Sequence, residues 1–202
     1  MHQFNVWLDS LVDEALDRDK HRALSFEEYM SVRAISVGIA PCVAWGVVML
    51  DAKNEVFNSS TVQKILSECC ELIAVGNDIY SYNKEQAKGA AAVAHNIVDV
   101  ILNQRNQGVQ DAMDHALAFY KRKFLPTVQL YLELPDLEDV ASTAYMKECA
   151  LLALEWVEGN VEFSLASYRY FGEQAGSPEL RNNGLIQLWS QDVDGTDSAA
   201  LM

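Results

Sequence analysis

The polar residues with the clearest chemical pattern lie inside one long predicted helix, at Asn77, Ser81 and Glu85. Their four-residue spacing puts them on a single helical face, because successive residues turn by about 100°. The row offers an amide oxygen, a hydroxyl oxygen and a carboxylate, which are hard ligands of the kind that Mg²⁺ accepts. Mg²⁺ usually keeps several waters and takes further ligands from substrate phosphates. The row therefore predicts a magnesium site, and a solvated polar helix face is the plain alternative.

Cationic side chains and one tyrosine accompany this row. Lys84 directly precedes Glu85, Arg33 lies upstream, and Arg169 with Tyr170 lies near the end of the helical region. A guanidinium presents a planar set of donors to phosphate oxygens, and a tyrosine hydroxyl adds one more. For each arginine alone, an exposed position on a helix surface is the plain alternative.

Helices must position these residues, because apolar residues recur at helical spacing almost throughout and the alternation typical of β-strands is nearly absent. The pattern predicts an all-α bundle over residues 1–190 and a frayed acidic tail over residues 191–202. The predicted helices cover approximately residues 4–16, 25–38, 41–50, 58–88, 95–105, 109–132 and 135–171.

The composition argues against several functions. The 202 residues carry 15 Lys and Arg against 29 Asp and Glu, a net charge of -14, which disfavours binding to nucleic acid. No unbroken apolar run reaches the roughly 18 residues of a membrane span, and no basic leader precedes an apolar stretch. The four cysteines lack C-x-x-C spacing and are predicted to be free, buried thiols. A cytoplasmic protein is expected.

The polar row belongs to a longer pattern. Residues 77–85 read N-D-x-x-S-x-x-x-E, which resembles the Asn/Ser/Glu magnesium motif of class I terpene synthases, the second of that family's two metal-binding motifs. Arg169-Tyr170 resembles the family's diphosphate-binding Arg-Tyr pair. The preceding W-x-x-G-N from Trp156 and the S-x-R-Y-F ending resemble those of fungal, basidiomycete-type sesquiterpene synthases.

Two further segments resemble the same family. Tyr29-x-x-x-Arg33, followed by Gly38, is similar to a helix whose arginine senses the diphosphate beside a helix break. The segment H-N-x-V that begins at His95 resembles the stretch after the motif helix in fungal members, although the loop before it is not acidic here.

The resemblance implies an antiparallel helical bundle of the class I terpenoid synthase type. It also implies a carbon–oxygen lyase that ionises and cyclises farnesyl diphosphate, with Mg²⁺ as cofactor, and that releases diphosphate. Mg²⁺ would be held by Asn77, Ser81 and Glu85. The diphosphate would be held by Arg33, Lys84, Arg169 and Tyr170.

The resemblance covers nearly the whole chain but only the C-terminal part of a family member, so an N-terminally truncated fold is expected. The family's first, aspartate-rich metal motif lies well upstream of the Arg33-type helix. Asp13-Glu14-Ala15-Leu16-Asp17 has its letters at a different position. Two alternatives remain open: a catalytically inactive fragment, and a helical interaction module whose polar row is solvated. A homodimer is also left open.

Overall fold

The computed structural model describes residues 2–19, 24–50 and 54–190. Within these ranges all regular structure is helical, which confirms the all-α prediction. The predicted tail, residues 191–202, lies outside the described residues.

The helices are α1 (His2–Asp19), α2 (Phe26–Ser36), α3 (Ile39–Met49), α4 (Asn54–Phe57), α5 (Ser60–Ala87), α6 (Ala90–Val93), α7 (Ile97–Arg105), α8 (Val109–Leu132), α9 (Val140–Ala166), α10 (Tyr168–Phe171) and α11 (Pro178–Asn183), with a 3₁₀ turn at Gly172–Gln174.

Helix α5 forms the centre of the bundle. It begins where the Ser59 side chain accepts a hydrogen bond from the Val62 backbone N–H, as the Asn-Ser-Ser-Thr sequence predicts. It packs most extensively against α9 and α8, and α2 and α10 cross its C-terminal half. Its N-terminal half packs against α3 and α9 in one apolar core, and its C-terminal half packs against α7 and α8 in a second. The polar row lies on the C-terminal half.

The break between α2 and α3 falls where the second predicted helix ends, although α3 begins at Ile39 rather than at the predicted Pro41. It lies at Gly38, whose φ of +79° is a left-handed conformation that glycine adopts without strain. Pro41 stands in the first turn of α3, where its missing N–H leaves no helical bond unmade. An 18-residue window within Phe26–Met49 has a mean hydropathy of 1.7, so this stretch is long and apolar enough by composition to cross a membrane. In the structure it forms two helices that pack against α1, α5 and α9.

Helix α9 begins and ends differently from its prediction. It starts at Val140 rather than near Pro135, because the Asp139 carboxylate accepts hydrogen bonds from two backbone N–H groups of the first turn. It stops at Ala166, where Ser167 leaves the helix and caps the short α10. This break reorients Arg169 and Tyr170 relative to α9.

All four cysteines are free, as predicted, and three of them are buried. Burial raises the pKa of the Cys69 and Cys70 thiols to about 12. The prediction of burial was wrong for Cys42, which is exposed on α3.

Candidate metal and diphosphate site

The three proposed metal ligands lie on one enclosed stretch of α5. Ser81 is only 3% exposed, and Asn77 and Glu85 are partly buried between α5 and its neighbours. Each of the three side chains takes part in a hydrogen bond with another side chain. The row is therefore enclosed rather than solvated.

Asn96 joins two of these side chains. Its Nδ2 donates to Glu85 Oε2 at 2.9 Å, to the Asp78 backbone oxygen at 2.8 Å, and more weakly to Ser81 Oγ at 3.4 Å. Its Oδ1 accepts from the Val98 N–H and thereby caps α7. The sequence pattern around His95 contained Asn96, but only the fold shows that its amide reaches the polar row.

Burial raises the pKa of Glu85, because desolvation disfavours the charged carboxylate. The hydrogen bonds from Asn96 and Ser81 act in the opposite direction and favour the ionised form. The positive charge of Arg33 also favours it. Glu85 is thus a carboxylate that is costly to keep charged unless a cation faces it.

Asn77 connects the row to two of the proposed diphosphate ligands. Arg33 Nη2 donates to Asn77 Oδ1 at 2.8 Å, and Asn77 Nδ2 donates to the Tyr170 hydroxyl at 3.0 Å. These residues come from α2, α5 and α10. The fold therefore brings together three side chains that the sequence analysis took from three separate segments of the chain.

Asp78 is a central residue of the site that the sequence analysis did not select. Its side chain is 1% exposed, and Oδ1 accepts a hydrogen bond from Arg33 Nε at 2.9 Å and forms an ion pair with Arg33 Nη2 at 2.8 Å. Oδ2 accepts from the Tyr29 hydroxyl and from the Ile97 backbone N–H. Since both oxygens are occupied, Asp78 holds Arg33 in place. Its position directly after Asn77 was the only signal available.

The contacts around Asp78 set the protonation states of Arg33 and Tyr29. Burial alone would lower the pKa of Arg33, but the adjacent Asp78 carboxylate outweighs it and holds that pKa above its ordinary value. Burial and the adjacent Asp78 raise the pKa of the Tyr29 hydroxyl well above its ordinary value. Arg33 is therefore cationic and Tyr29 is a neutral hydrogen-bond donor at any physiological pH.

Lys84 and Arg169 lie at the rim of the site. Burial lowers the pKa of Lys84, and the positive charges of Lys88 and Arg169 lower it further. Arg169 is exposed, with its guanidinium carbon 5.5 Å from the centre of the Tyr170 ring. Among the described residues, no hydrogen bond joins either cation to the polar row. Their mutual repulsion leaves a position beside them that favours an anion.

The opposite face of α5 fixes Tyr170. Asn83 Nδ2 donates to the Tyr170 backbone oxygen at 3.0 Å, and Asn83 Oδ1 accepts from the Trp189 N–H at 2.7 Å. Gln86 Nε2 donates to the Trp189 backbone oxygen at 2.8 Å. No spacing rule marks Asn83, and its role appears only when α10 and residues 184–190 are folded onto α5.

The acidic segment on α1 has the letters of the family's aspartate-rich metal motif. Asp13 is exposed, Glu14 is partly buried near Arg33, and the side chain of Asp17 lies outside the described residues. In the described part of the chain, no group of three or more His, Cys, Asp and Glu side chains is placed to hold a metal ion. The row in α5 contains one such residue beside an amide and a hydroxyl. This oxygen-donor set fits a hard divalent cation that takes its other ligands from water and phosphate.

Comparison with known proteins identifies the family. Residues 1–124 match the sequence model described as "Terpene synthase family 2, C-terminal metal binding". The chain belongs to this terpene synthase family. The matched model describes a metal-binding domain and includes the whole polar row, with Arg33 and Asp78.

Several fungal sesquiterpene synthases are relatives of this terpene synthase chain. It is 32% identical over 169 residues to a Delta(6)-protoilludene synthase of Stereum hirsutum, covering 84% of this chain and 45% of that protein. It is 28% identical over 190 residues to a Delta(6)-protoilludene synthase of Armillaria ostoyae, covering 94% and 54%. It is 33% identical over 178 residues to sesquiterpene synthase Agr9 of Cyclocybe aegerita, covering 86% and 46%. The chain spans about half the length of the relatives it matches.

A solved structure shows the same fold. The crystal structure of α-eudesmol synthase superposes with a TM-score of 0.67 at 19% sequence identity, covering 82% of this chain and 54% of that chain. The predicted bundle of the class I terpenoid synthase type is thereby confirmed.

Proposed function

We propose that this chain carries the C-terminal half of a sesquiterpene synthase site that ionises and cyclises farnesyl diphosphate with Mg²⁺ and releases diphosphate. The observation that carries the proposal is the bonded chain Arg33–Asn77–Tyr170 beside Ser81 and Glu85. It joins oxygen ligands for a hard cation to donors for an anion. The names of the relatives support a sesquiterpene as the class of product.

In this proposal Asn77, Ser81 and Glu85 hold Mg²⁺, which when bound supplies positive charge for the departing diphosphate. Arg33, Lys84, Arg169 and Tyr170 donate hydrogen bonds to the diphosphate oxygens. Once diphosphate is bound, donors oriented towards the place where negative charge develops stabilise the transition state without further reorganisation. Asp78 orients Arg33, and Asn83 orients Tyr170. Because the relatives are about twice as long, the remainder of the cavity is expected from the part of the fold that this chain does not span.

The proposal is tested by thermal unfolding with Mg²⁺, inorganic pyrophosphate, or both. We expect only the combination to raise the melting temperature substantially, because each ligand completes the binding site of the other. A ligand at 100 times its Kd adds about 2.7 kcal/mol to the free energy of unfolding. Glu85→Gln removes the only full negative charge of the row and should abolish the shift. A shift that persists in Glu85→Gln would move the metal site elsewhere.

A second candidate function is a helical interaction module without catalysis. It is favoured by large exposed apolar side chains on α3, where Trp45 is 72% exposed and Met49 is 76% exposed. Solvent-facing apolar groups of this size are typical of surfaces that bind another protein. A melting temperature that does not respond to Mg²⁺ and pyrophosphate together would favour this function.

A further inference from the structure

The oxygen that Asn77 would offer to a metal already accepts a hydrogen bond from the guanidinium of Arg33. Arg33 Nη2 lies 2.8 Å from Asn77 Oδ1, and Asn77 Nδ2 points to the Tyr170 hydroxyl instead. Because Arg is only a donor, this contact fixes which end of the Asn77 amide faces Arg33. A divalent cation that binds Oδ1 must replace this hydrogen bond. It must also approach the guanidinium charge.

Asp78 keeps the guanidinium at this position. Arg33 Nε donates a hydrogen bond to Asp78 Oδ1, Nη2 forms an ion pair with the same oxygen, and the Arg33 side chain is 15% exposed. Tyr29 and the Ile97 N–H hold the other carboxylate oxygen, so Asp78 is fixed as well. The Nε hydrogen bond does not involve Asn77. Nη2 can therefore leave Asn77 while the Nε hydrogen bond to Asp78 remains.

We propose that Arg33 gates the metal site: it holds Asn77 Oδ1 until diphosphate oxygens draw Nη2 away, so that metal affinity depends on diphosphate. The inference rests on the proposed function of the row. The exchange is favourable because an Arg–phosphate hydrogen bond is charge-assisted and stronger than the Arg–amide bond it replaces. Coupling of this kind is reciprocal, so the metal strengthens diphosphate binding by the same factor.

The test measures Mn²⁺ as the metal probe, by the loss of the free-ion electron paramagnetic resonance signal, with and without inorganic pyrophosphate. The test variant is Arg33→Gln/Asp78→Asn. It removes one positive and one negative charge together, so the net charge is unchanged and no buried carboxylate is left unpaired. We expect it to bind Mn²⁺ alone about tenfold more tightly than the wild type and to gain less from pyrophosphate, within the usual range of coupling factors.

Two further variants make the test decisive. Arg169→Gln removes a cation that has no bond to Asn77, so it should weaken pyrophosphate binding and change the Mn²⁺ affinity without pyrophosphate by less than about threefold. Arg33→Lys keeps the ion pair with Asp78, but one ammonium group lacks the planar fork that reaches both Asp78 and Asn77. It should therefore bind Mn²⁺ alone several-fold more tightly than the wild type. This variant decides the matter if the double variant does not fold.

The outcomes separate this inference from the function on which it rests. If wild-type protein fails to bind Mn²⁺ even with pyrophosphate, the proposed metal site itself is wrong and the gate with it. If the wild type binds both together, and folded Arg33 variants bind Mn²⁺ alone no more tightly than the wild type, the gate is wrong and the metal site stands.

Discussion

Asp78 and Asn96 hold the side chains of the candidate site in their observed positions. Asp78 fixes Arg33, and Asn96 fixes Glu85 and Ser81 while capping α7. Both are buried, so each of their hydrogen bonds replaces a bond to water that the folded protein excludes. The residues that would touch a ligand thus depend on residues that would not.

Asn96→Ala should destabilise the protein by about 2–4 kcal/mol, because it removes the α7 cap and leaves buried acceptors without a donor. Asn96→Ser is the matched control, since its hydroxyl oxygen can still cap α7 but no amide reaches Glu85. Its cost should be about 1 kcal/mol smaller. Urea denaturation measures both free energies of unfolding. A value for Asn96→Ala within about 0.5 kcal/mol of the wild type would contradict the bridging role.

The raised pKa of Glu85 predicts opposite effects of pH on stability and on metal binding. Above the ordinary value of 4.5, the unfolded chain releases the Glu85 proton before the folded chain does. The contribution of Glu85 to the free energy of unfolding therefore falls as pH rises from 4.5 through the folded pKa. Mn²⁺ binding with pyrophosphate should instead strengthen over this interval, because the metal requires the carboxylate.

Denaturation and Mn²⁺ titration at several pH values measure the two slopes. Glu85→Gln should show a less negative dependence of stability on pH over this interval, since it cannot ionise. The interpretation fails if the wild type and Glu85→Gln have the same pH dependence of stability.

At the scale of the elements, helix breaks orient the site residues. The break at Gly38 separates α2, which carries Arg33, from α3, and the Trp7 indole N–H donates to the Ser36 backbone oxygen beside it at 3.2 Å. The break at Ser167 turns Tyr170 towards Asn77. Both breaks end helices whose apolar pattern continues beyond them.

Gly38→Ala should destabilise the protein by about 1–2 kcal/mol, because an alanine is strained in the left-handed region. Its Cβ would also lie 3.0 Å from the Trp7 indole nitrogen. Gly159→Ala is the control, since Gly159 lies within α9 and a Cβ there would contact nothing within 4 Å. It should be neutral or stabilise the helix by up to about 1 kcal/mol. Equal effects of the two substitutions on the thermal midpoint would contradict the role of the Gly38 break.

The sequence predicted α5 well and the end of α9 poorly, for a physical reason. The start of α5 depends on a local cap at Ser59, and its polar row depends on the helical period, so both can be read from neighbouring residues. The end of α9 depends on Tyr170 bonding to Asn83 and Asn77, which are distant in sequence. For the same reason Asp78 and Asn96 were not selected: their partners belong to other helices.

At the scale of the whole molecule, the chain is strongly acidic and exposes several large apolar side chains. The net charge is -14, so the cationic side chains at the site work against the overall field in attracting an anion. Exposed apolar residues recur at four-residue intervals on α1 and continue on α3. They are Phe4, Leu8, Val12 and Leu16 on α1, and Trp45, Val48 and Met49 on α3. The relatives, which are about twice as long, have additional chain that this protein's matched region does not include.

We expect the 202-residue chain alone to bind Mg²⁺ and pyrophosphate but to turn over farnesyl diphosphate poorly or not at all. Removing one preorganised charge-stabilising group costs about 10²–10³ in rate, and the family's aspartate-rich motif would supply several such groups. Gas chromatography of the hydrocarbon extract measures the turnover. Robust cyclisation by this chain would require Asp13, Glu14 and Asp17 to be reconsidered as a displaced first motif.

The most direct test of the proposed function adds the part of a relative that this chain does not span. The N-terminal segment of the Armillaria ostoyae relative, ending where its similarity to this chain begins, would be fused before Met1, and the fusion incubated with farnesyl diphosphate and Mg²⁺. We predict a sesquiterpene hydrocarbon in the gas chromatogram that is lost in the same fusion carrying Glu85→Gln. A folded fusion that binds Mg²⁺ with pyrophosphate but yields no hydrocarbon, or that yields it equally with Glu85→Gln, would contradict the proposed function.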